Sequence, residues 1–151
     1  FDFFNLNHKK GVYYPDTKRT DFVWGHEDIV LCLDTHGNYI VSGSKDNSIK
    51  LWHYNDGRFR LMATFKGHNE SVGSVNFSPV KGNYIVSGSA DKNVKLWHIA
   101  NIRKKINATE PEEVTTAKNT ILAHDKDINC AKFSPNEKLI ATASQDRTIK
   151  V

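Results

Sequence analysis

A single block recurs three times in register, and this repetition limits the possible folds more than any other feature of the chain. Residues 39–52 read Tyr-Ile-Val-Ser-Gly-Ser-Lys-Asp-Asn-Ser-Ile-Lys-Leu-Trp, and residues 84–97 read Tyr-Ile-Val-Ser-Gly-Ser-Ala-Asp-Lys-Asn-Val-Lys-Leu-Trp. Residues 139–151 repeat the pattern as Leu-Ile-Ala-Thr-Ala-Ser-Gln-Asp-Arg-Thr-Ile-Lys-Val. Asp46 and Asp91 stand 45 residues apart, and Asp91 and Asp146 stand 55 apart. A second marker precedes each block: Gly25-His26, Gly67-His68 and Ala123-His124. Units of this length bury their apolar faces only by stacking on one another.

Each unit reads as four short strands. After the His comes an apolar run (29–34, 72–77, 128–133), which in the last two units is closed by Ser-Pro. A second run, such as 39–43, is rich in β-formers and small residues. The third, such as 48–53, alternates Ile49 and Leu51 against Lys50 and Trp52. Turn formers, Lys45-Asp46-Asn47 and Ala90-Asp91-Lys92-Asn93, separate the second run from the third. A fourth strand is expected over 59–65 in the first unit and about 119–123 in the second. Four antiparallel strands every 40–45 residues describe a propeller blade.

The Gly-His pair, the Ser-Gly-Ser-x-Asp turn and the Leu-Trp ending resemble the WD-repeat family over nearly the whole chain. The departures are Ala123 in place of Gly and the pairs Trp52-His53 and Trp97-His98 in place of Trp-Asp. The implied fold is an all-β propeller fragment of about three blades plus part of a preceding one. Residues 1–24 would end that preceding blade. Residues 25–66 form the first repeat, 67–122 the second, and 123–151 a truncated third.

The resemblance further implies one hydrogen-bonded tetrad per blade. The sets are His26, Ser42, Asp46 and Trp52; His68, Ser87, Asp91 and Trp97; and His124, Thr142 and Asp146. A carboxylate buried in a tight turn needs donors, and an indole N–H needs an acceptor. His, Ser and Asp also suggest a hydrolase. Three copies at one register argue against that, because catalysis needs one exposed nucleophile with an oxyanion hole. No catalytic residue, cofactor site or metal site is assigned. The other histidines, His8, His36, His53 and His98, lack ligand spacing, and no phosphate-binding Gly loop, zinc motif or nucleophile elbow occurs.

Composition adds limits. Lys+Arg 21 against Asp+Glu 17 gives +4, too mild for a strong nucleic-acid binder by bulk charge. Cys32 and Cys130 form no zinc pattern or disulfide framework, which fits a reducing intracellular compartment. Cys32, Ser74 and Cys130 each follow a tetrad His by six residues, and small side chains there fit a crowded interior. No apolar run approaches the ~20 residues of a membrane helix, and no signal peptide is recognisable. Met62 is the only methionine, so the chain reads as an internal or processed segment.

Two stretches break the pattern. Trp24, just before Gly25, is a candidate contact residue, although packing beneath the blade is the simpler expectation. Residues 99–120 form an insertion running from Arg103-Lys104-Lys105 to Glu110-Pro111-Glu112-Glu113, expected to be a mobile loop. By analogy with propellers, the top-face contacts would be Asp28, Lys45, Ser71, Ala90, Asp127 and Gln145.

Finer features sharpen the resemblance. Gly25-His26-Glu27-Asp28-Ile29-Val30-Leu31-Cys32-Leu33-Asp34, His124-Asp125-Lys126-Asp127-Ile128-Asn129 and Ser134-Pro135-Asn136-Glu137-Lys138-Leu139 are similar to the transducin beta-like 3 family. The Ser144-Gln145-Asp146-Arg147-Thr148 turn and the insertion agree as well. That resemblance implies a non-enzymatic scaffold of the small-subunit processome in the nucleolus. The implied partners are other WD-repeat proteins, with possible contact to the U3 small nucleolar RNA or pre-ribosomal RNA, and no membrane or small-molecule substrate. The alternative is a WD adaptor presenting substrates to another machine such as a ubiquitin ligase. Three and a fraction blades do not close a ring. The fragment alone is therefore expected to be unstable or to self-associate.

Overall fold

A computed structural model describes residues 25–55 and 58–151. The expected blade end over 1–24, with Trp24, lies outside the described residues. Three sheets follow one another along the chain. The first contains β1 (Val30–His36), β2 (Tyr39–Ser44), β3 (Ser48–Asn55) and β4 (Arg58–Lys66). The second contains β5 (Val72–Phe77), β6 (Tyr84–Ser89) and β7 (Asn93–His98), and the helix α1 (Ala100–Lys104) and strand β8 (Glu112–Val114) come next in the chain. The strand β9 (Asn119–Leu122) completes the second sheet, and β10 (Ile128–Phe133), β11 (Ile140–Ser144) and β12 (Ile149–Lys150) form the third. Within each sheet β1–β4, β5–β7 with β9, and β10–β12 form an antiparallel meander, as expected of propeller blades.

The inner strands stack in sequence, β1 on β5 and β5 on β10. Apolar residues that point at a neighbouring sheet form the core: Val41, Ile49, Leu51 and Phe65 on one side, Val72, Val75 and Trp97 on the other. The Phe65 and Trp97 rings meet edge to face with centroids 5.3 Å apart. Polar side chains set the register between sheets. Asp34 accepts from the Asn76 side chain and the Phe77 amide, both at 2.7 Å, and Asn76 in turn accepts the Phe133 amide at 3.0 Å. Ser74 accepts the Ala131 amide at 2.9 Å. The small residue expected at the position of Cys32 and Ser74 has a steric reason. A Cβ on Gly43 would lie 2.7 Å from the Cys32 sulfur and 2.9 Å from Val72.

Strand alternation differs from the sequence pattern at the tryptophans. Trp52 and Trp97 are buried like Ile49 and Leu51, with the backbone at Gly25 and Gly67 lying against their rings. The glycine of Gly-His follows from this burial. A Cβ on Gly25 would fall 2.2 Å from the Trp52 ring, and one on Gly67 3.1 Å from Trp97.

The insertion corrects the expectation of a mobile loop. Ile99 and Ile102 are buried in the same core as Tyr39 and Met62, so α1 seals the space beside β4. Burying one such side chain contributes about 2 kcal/mol. The Tyr39 hydroxyl donates to the Arg103 carbonyl at 3.2 Å, and the Arg103 guanidinium lies 4.6 Å over the Tyr39 ring. Farther on, Glu112–Val114 pairs in parallel with Ala63–Phe65. A strand from the second repeat thus becomes the fifth strand of the first sheet, in the order β1-β2-β3-β4-β8. Polar composition and Pro111 suggested a loop, but two buried isoleucines and an open strand edge outweigh them.

Candidate functional site

In each set the segment before the inner strand gives His, the second strand gives Ser or Thr, and the turn after it gives Asp; in the first two blades the third strand adds Trp. In the first blade, His26 Nδ1 lies 2.8 Å from Asp46 and His26 Nε2 2.7 Å from the Ser42 hydroxyl. Trp52 donates its indole N–H to that same hydroxyl at 3.0 Å. The second blade repeats this with His68 to Asp91 at 2.8 Å, His68 to Ser87 at 2.7 Å, and Trp97 to Ser87 at 2.9 Å. In the third, His124 meets Asp146 and Thr142, both at 2.8 Å.

The proton directions follow from the partners. A carboxylate only accepts, so Nδ1 carries the hydrogen and Nε2 accepts from the hydroxyl. The hydroxyl oxygen then accepts the indole N–H. Ser42, Ser87 and Thr142 are all buried, so these oxygens are committed to the network and no substrate carbonyl can approach them. The arrangement offers rigidity rather than nucleophilic chemistry.

Burial alone would raise the Asp46 carboxyl. The Ser48 hydroxyl, the Glu27 and Ser48 amides and His26 all donate to it, and together they lower it to about 2. Asp91 is likewise well below the usual carboxylate range: burial opposes this, but His68 and the Asn69 and Asn93 amides outweigh it. For Asp146 the Thr148 hydroxyl is the main cause of the same lowering. Sequence inspection missed two members of these networks. Ser48 and Thr148 also approach the His Nδ1 atoms, at 3.2 and 3.1 Å. Ser44, Ser89 and Ser144 each accept the Asp amide two residues on, at 3.1 Å, and donate to a carbonyl ahead of the inner strand. The repeated hydroxyls at those positions were the available signal.

The turns that carry the aspartates place Asn47, Lys92 and Arg147 at φ 68°, 70° and 72°. These left-handed residues aim the following backbone amides at the carboxylates, at 2.8 Å for Ser48 and 3.0 Å for Asn93.

The proposed top-face residues divide. Ser71, Ala90, Asp127 and Gln145 come together around one open cleft of about 290 Å³, along with Leu31, Gly73, Ile128 and Asn129. Leu31, Gly73 and Asn129 each stand five residues after a tetrad His, so one position in three successive blades contributes to the cleft. Asp28 and Lys45 are exposed at the same end of the sheets but do not line it. Asp28 is engaged locally, accepting the Ile29 amide at 2.7 Å. Burial pushes the Cys32 thiol up to about 11, so it remains a protonated packing group at neutral pH. Among the described residues no cluster of His, Cys, Asp and Glu is placed to hold a metal ion, and no helix is long and apolar enough to cross a membrane.

Comparison with known proteins agrees with this architecture. The family model described as WD domain, G-beta repeat, matches residues 18–53, 59–98 and 115–151. Transducin beta-like protein 3 of Mus musculus is 41% identical over 145 residues, which cover 93% of this chain and 18% of that protein. U3 small nucleolar RNA-associated protein 13 of Saccharomyces cerevisiae is 34% identical over 132 residues, covering 84% of this chain and 16% of that protein. Nuclear distribution protein nudF of Aspergillus flavus is 28% identical over 147 residues, covering 96% of this chain and 29% of that protein. The chain thus spans less than a fifth of the length of the first two.

Proposed function

The chain belongs to the WD domain, G-beta repeat family, and from that premise we propose that it is a non-enzymatic scaffold in an assembly built on the U3 small nucleolar RNA. The observation that carries this proposal is the match to the yeast protein whose name ties it to that RNA, at 34% identity over 84% of the chain. The higher identity to transducin beta-like protein 3 points the same way, because the chain departs more from the nudF proteins. The geometry suits such a role. Two hydrogen-bonded tetrads and the third set of His124, Thr142 and Asp146 hold the blades rigid, and rigid blades present loops and clefts at fixed spacing to partners. The function is assembly in small-subunit ribosomal RNA processing, in the nucleolus. Its partners are other WD-repeat proteins, docked at the end of the sheets that carries the Ser71–Asp127 cleft.

Recovery of RNA and protein with the tagged full-length protein from its own cells tests this. Enrichment of the U3 RNA together with other WD-repeat proteins is the expected result. Recovery of ubiquitin-ligase subunits without that RNA would overturn it in favour of an adaptor.

A further inference from the structure

At the end of the sheets opposite the tetrad turns, the insertion and the β3–β4 hairpin bring cations and rings onto one surface. Tyr54 and Phe59 face each other across the hairpin with ring centroids 4.9 Å apart, and Tyr54 is exposed. Arg58 opens the neighbouring strand β4 and is also exposed. Arg60 donates to the Ile106 carbonyl, and Arg103 donates to the Lys81 and Gly82 carbonyls at 2.6 and 2.8 Å. These bonds join β4, α1 and the β5–β6 turn into one rigid surface carrying Arg58, Arg60, Lys81, Arg103, Lys104 and Lys105.

The nearby carboxylates are largely engaged. Glu112 pairs with Lys105 at 2.8 Å, and Glu137 accepts the Val80 and Lys81 amides at 2.7 and 3.3 Å. Glu110 remains, and Asp56 lies outside the described residues. Among the described residues Arg58, Lys81 and Lys104 form no ion pair. Cations without carboxylate partners on a fixed frame suit phosphates, and an exposed ring beside them suits an unstacked base. A duplex presents no base face to such a ring, whereas a single strand offers one beside every phosphate.

We propose that this surface binds single-stranded RNA through its backbone, with Arg58, Lys81 and Lys104 on phosphates and Tyr54 stacked on a base. The proposal rests on the U3-containing assembly above and names the part of the molecule that touches RNA. Recognition is by charge and stacking, without sequence readout.

The test titrates the full-length protein with a labelled oligouridine at several salt concentrations. The double variant Arg58→Glu, Lys104→Glu should weaken binding at least about tenfold. It should also flatten the logarithmic salt dependence by about 1.4, because each of the two phosphates no longer neutralised accounts for ~0.7 of the slope. Tyr54→Ala should weaken binding about tenfold and leave the salt dependence unchanged. The neutral pair Arg58→Gln, Lys104→Gln should follow the charge reversal in direction, and Lys45→Glu at the opposite end should change nothing. A double variant that binds as tightly as the parent overturns the proposal. So does a Tyr54→Ala protein that binds like the parent while polyglutamate competes as well as RNA. U3 recovery in cells is scored separately. If recovery fails while oligouridine shows the expected pattern, the assembly falls and this surface stands. If recovery holds and that pattern is absent, the surface alone falls.

Discussion

At the residue scale, the tetrad aspartates concentrate the energetics. The Asp91 carboxylate is shielded from solvent in its turn and accepts from His68 and two backbone amides. Removing it strands a buried imidazole N–H and those amides. Asp91→Ala is expected to cost about 3 kcal/mol in chemical denaturation. The pH dependence has a defined sign. Asp46 titrates at about 2 when folded against an ordinary value of 3.8, so the fold favours its carboxylate. That stabilisation is complete above 3.8 and is lost as pH falls through 2. The melting temperature should therefore drop across this interval, and Asp46→Asn should flatten that part of the profile. The sequence displayed His, Ser or Thr, Asp and Trp because each repeats at fixed spacing. Ser48 and Thr148 were less visible, since the matching position in the middle repeat is Asn93. The Asn93 side chain donates to the Asp91 backbone carbonyl instead of a carboxylate oxygen.

At the element scale, the strands were readable and the insertion was not. Alternating apolar residues fix strands locally, and β5 and β10 fall on the runs seen in the sequence. What an insertion does depends on a surface formed by another repeat. Ile99 and Ile102 read as isolated apolar residues in a polar stretch until β4, Tyr39 and Met62 are placed beside them. Ile102→Ala should cost about 3 kcal/mol. It should also raise hydrogen exchange in Glu112–Val114 and along Ala63–Phe65, because α1 anchors the added strand. Unchanged exchange there would mean that β8 holds on its own, through its three paired residues and the exposed Lys66–Glu113 ion pair at 2.8 Å.

At the scale of the whole molecule, register explains the exposed apolar residues. Leu33 is 63% exposed, whereas its counterpart Val75 is 2% exposed because the first sheet covers it. Ile121 is 60% exposed, whereas its counterpart Phe65 is 1% exposed beneath Trp97. Leu33 thus lies on the open face of the first sheet, and Ile121 on a part of the second sheet that the third does not cover; both match positions that pack together between the first and second sheets. As an isolated chain the protein should associate in sedimentation experiments, and Leu33→Lys should shift it toward monomer; a clean monomer of the parent sequence would refute this. The repeat made the architecture legible, but the neighbour of each outer face is a long-range property that no local pattern encodes.

The fifth strand of the first sheet also bears on the order of synthesis. β4 leaves the ribosome well before β8, with the whole second sheet's first three strands between them. At typical synthesis rates the interval is on the order of seconds. During that time the β4 edge, with its unpaired amides and carbonyls, is open to any extended chain nearby. A nascent first blade is therefore most exposed to edge-to-edge pairing with other chains in this interval. The arrival of α1 and β8 closes that edge, so the second repeat finishes the first.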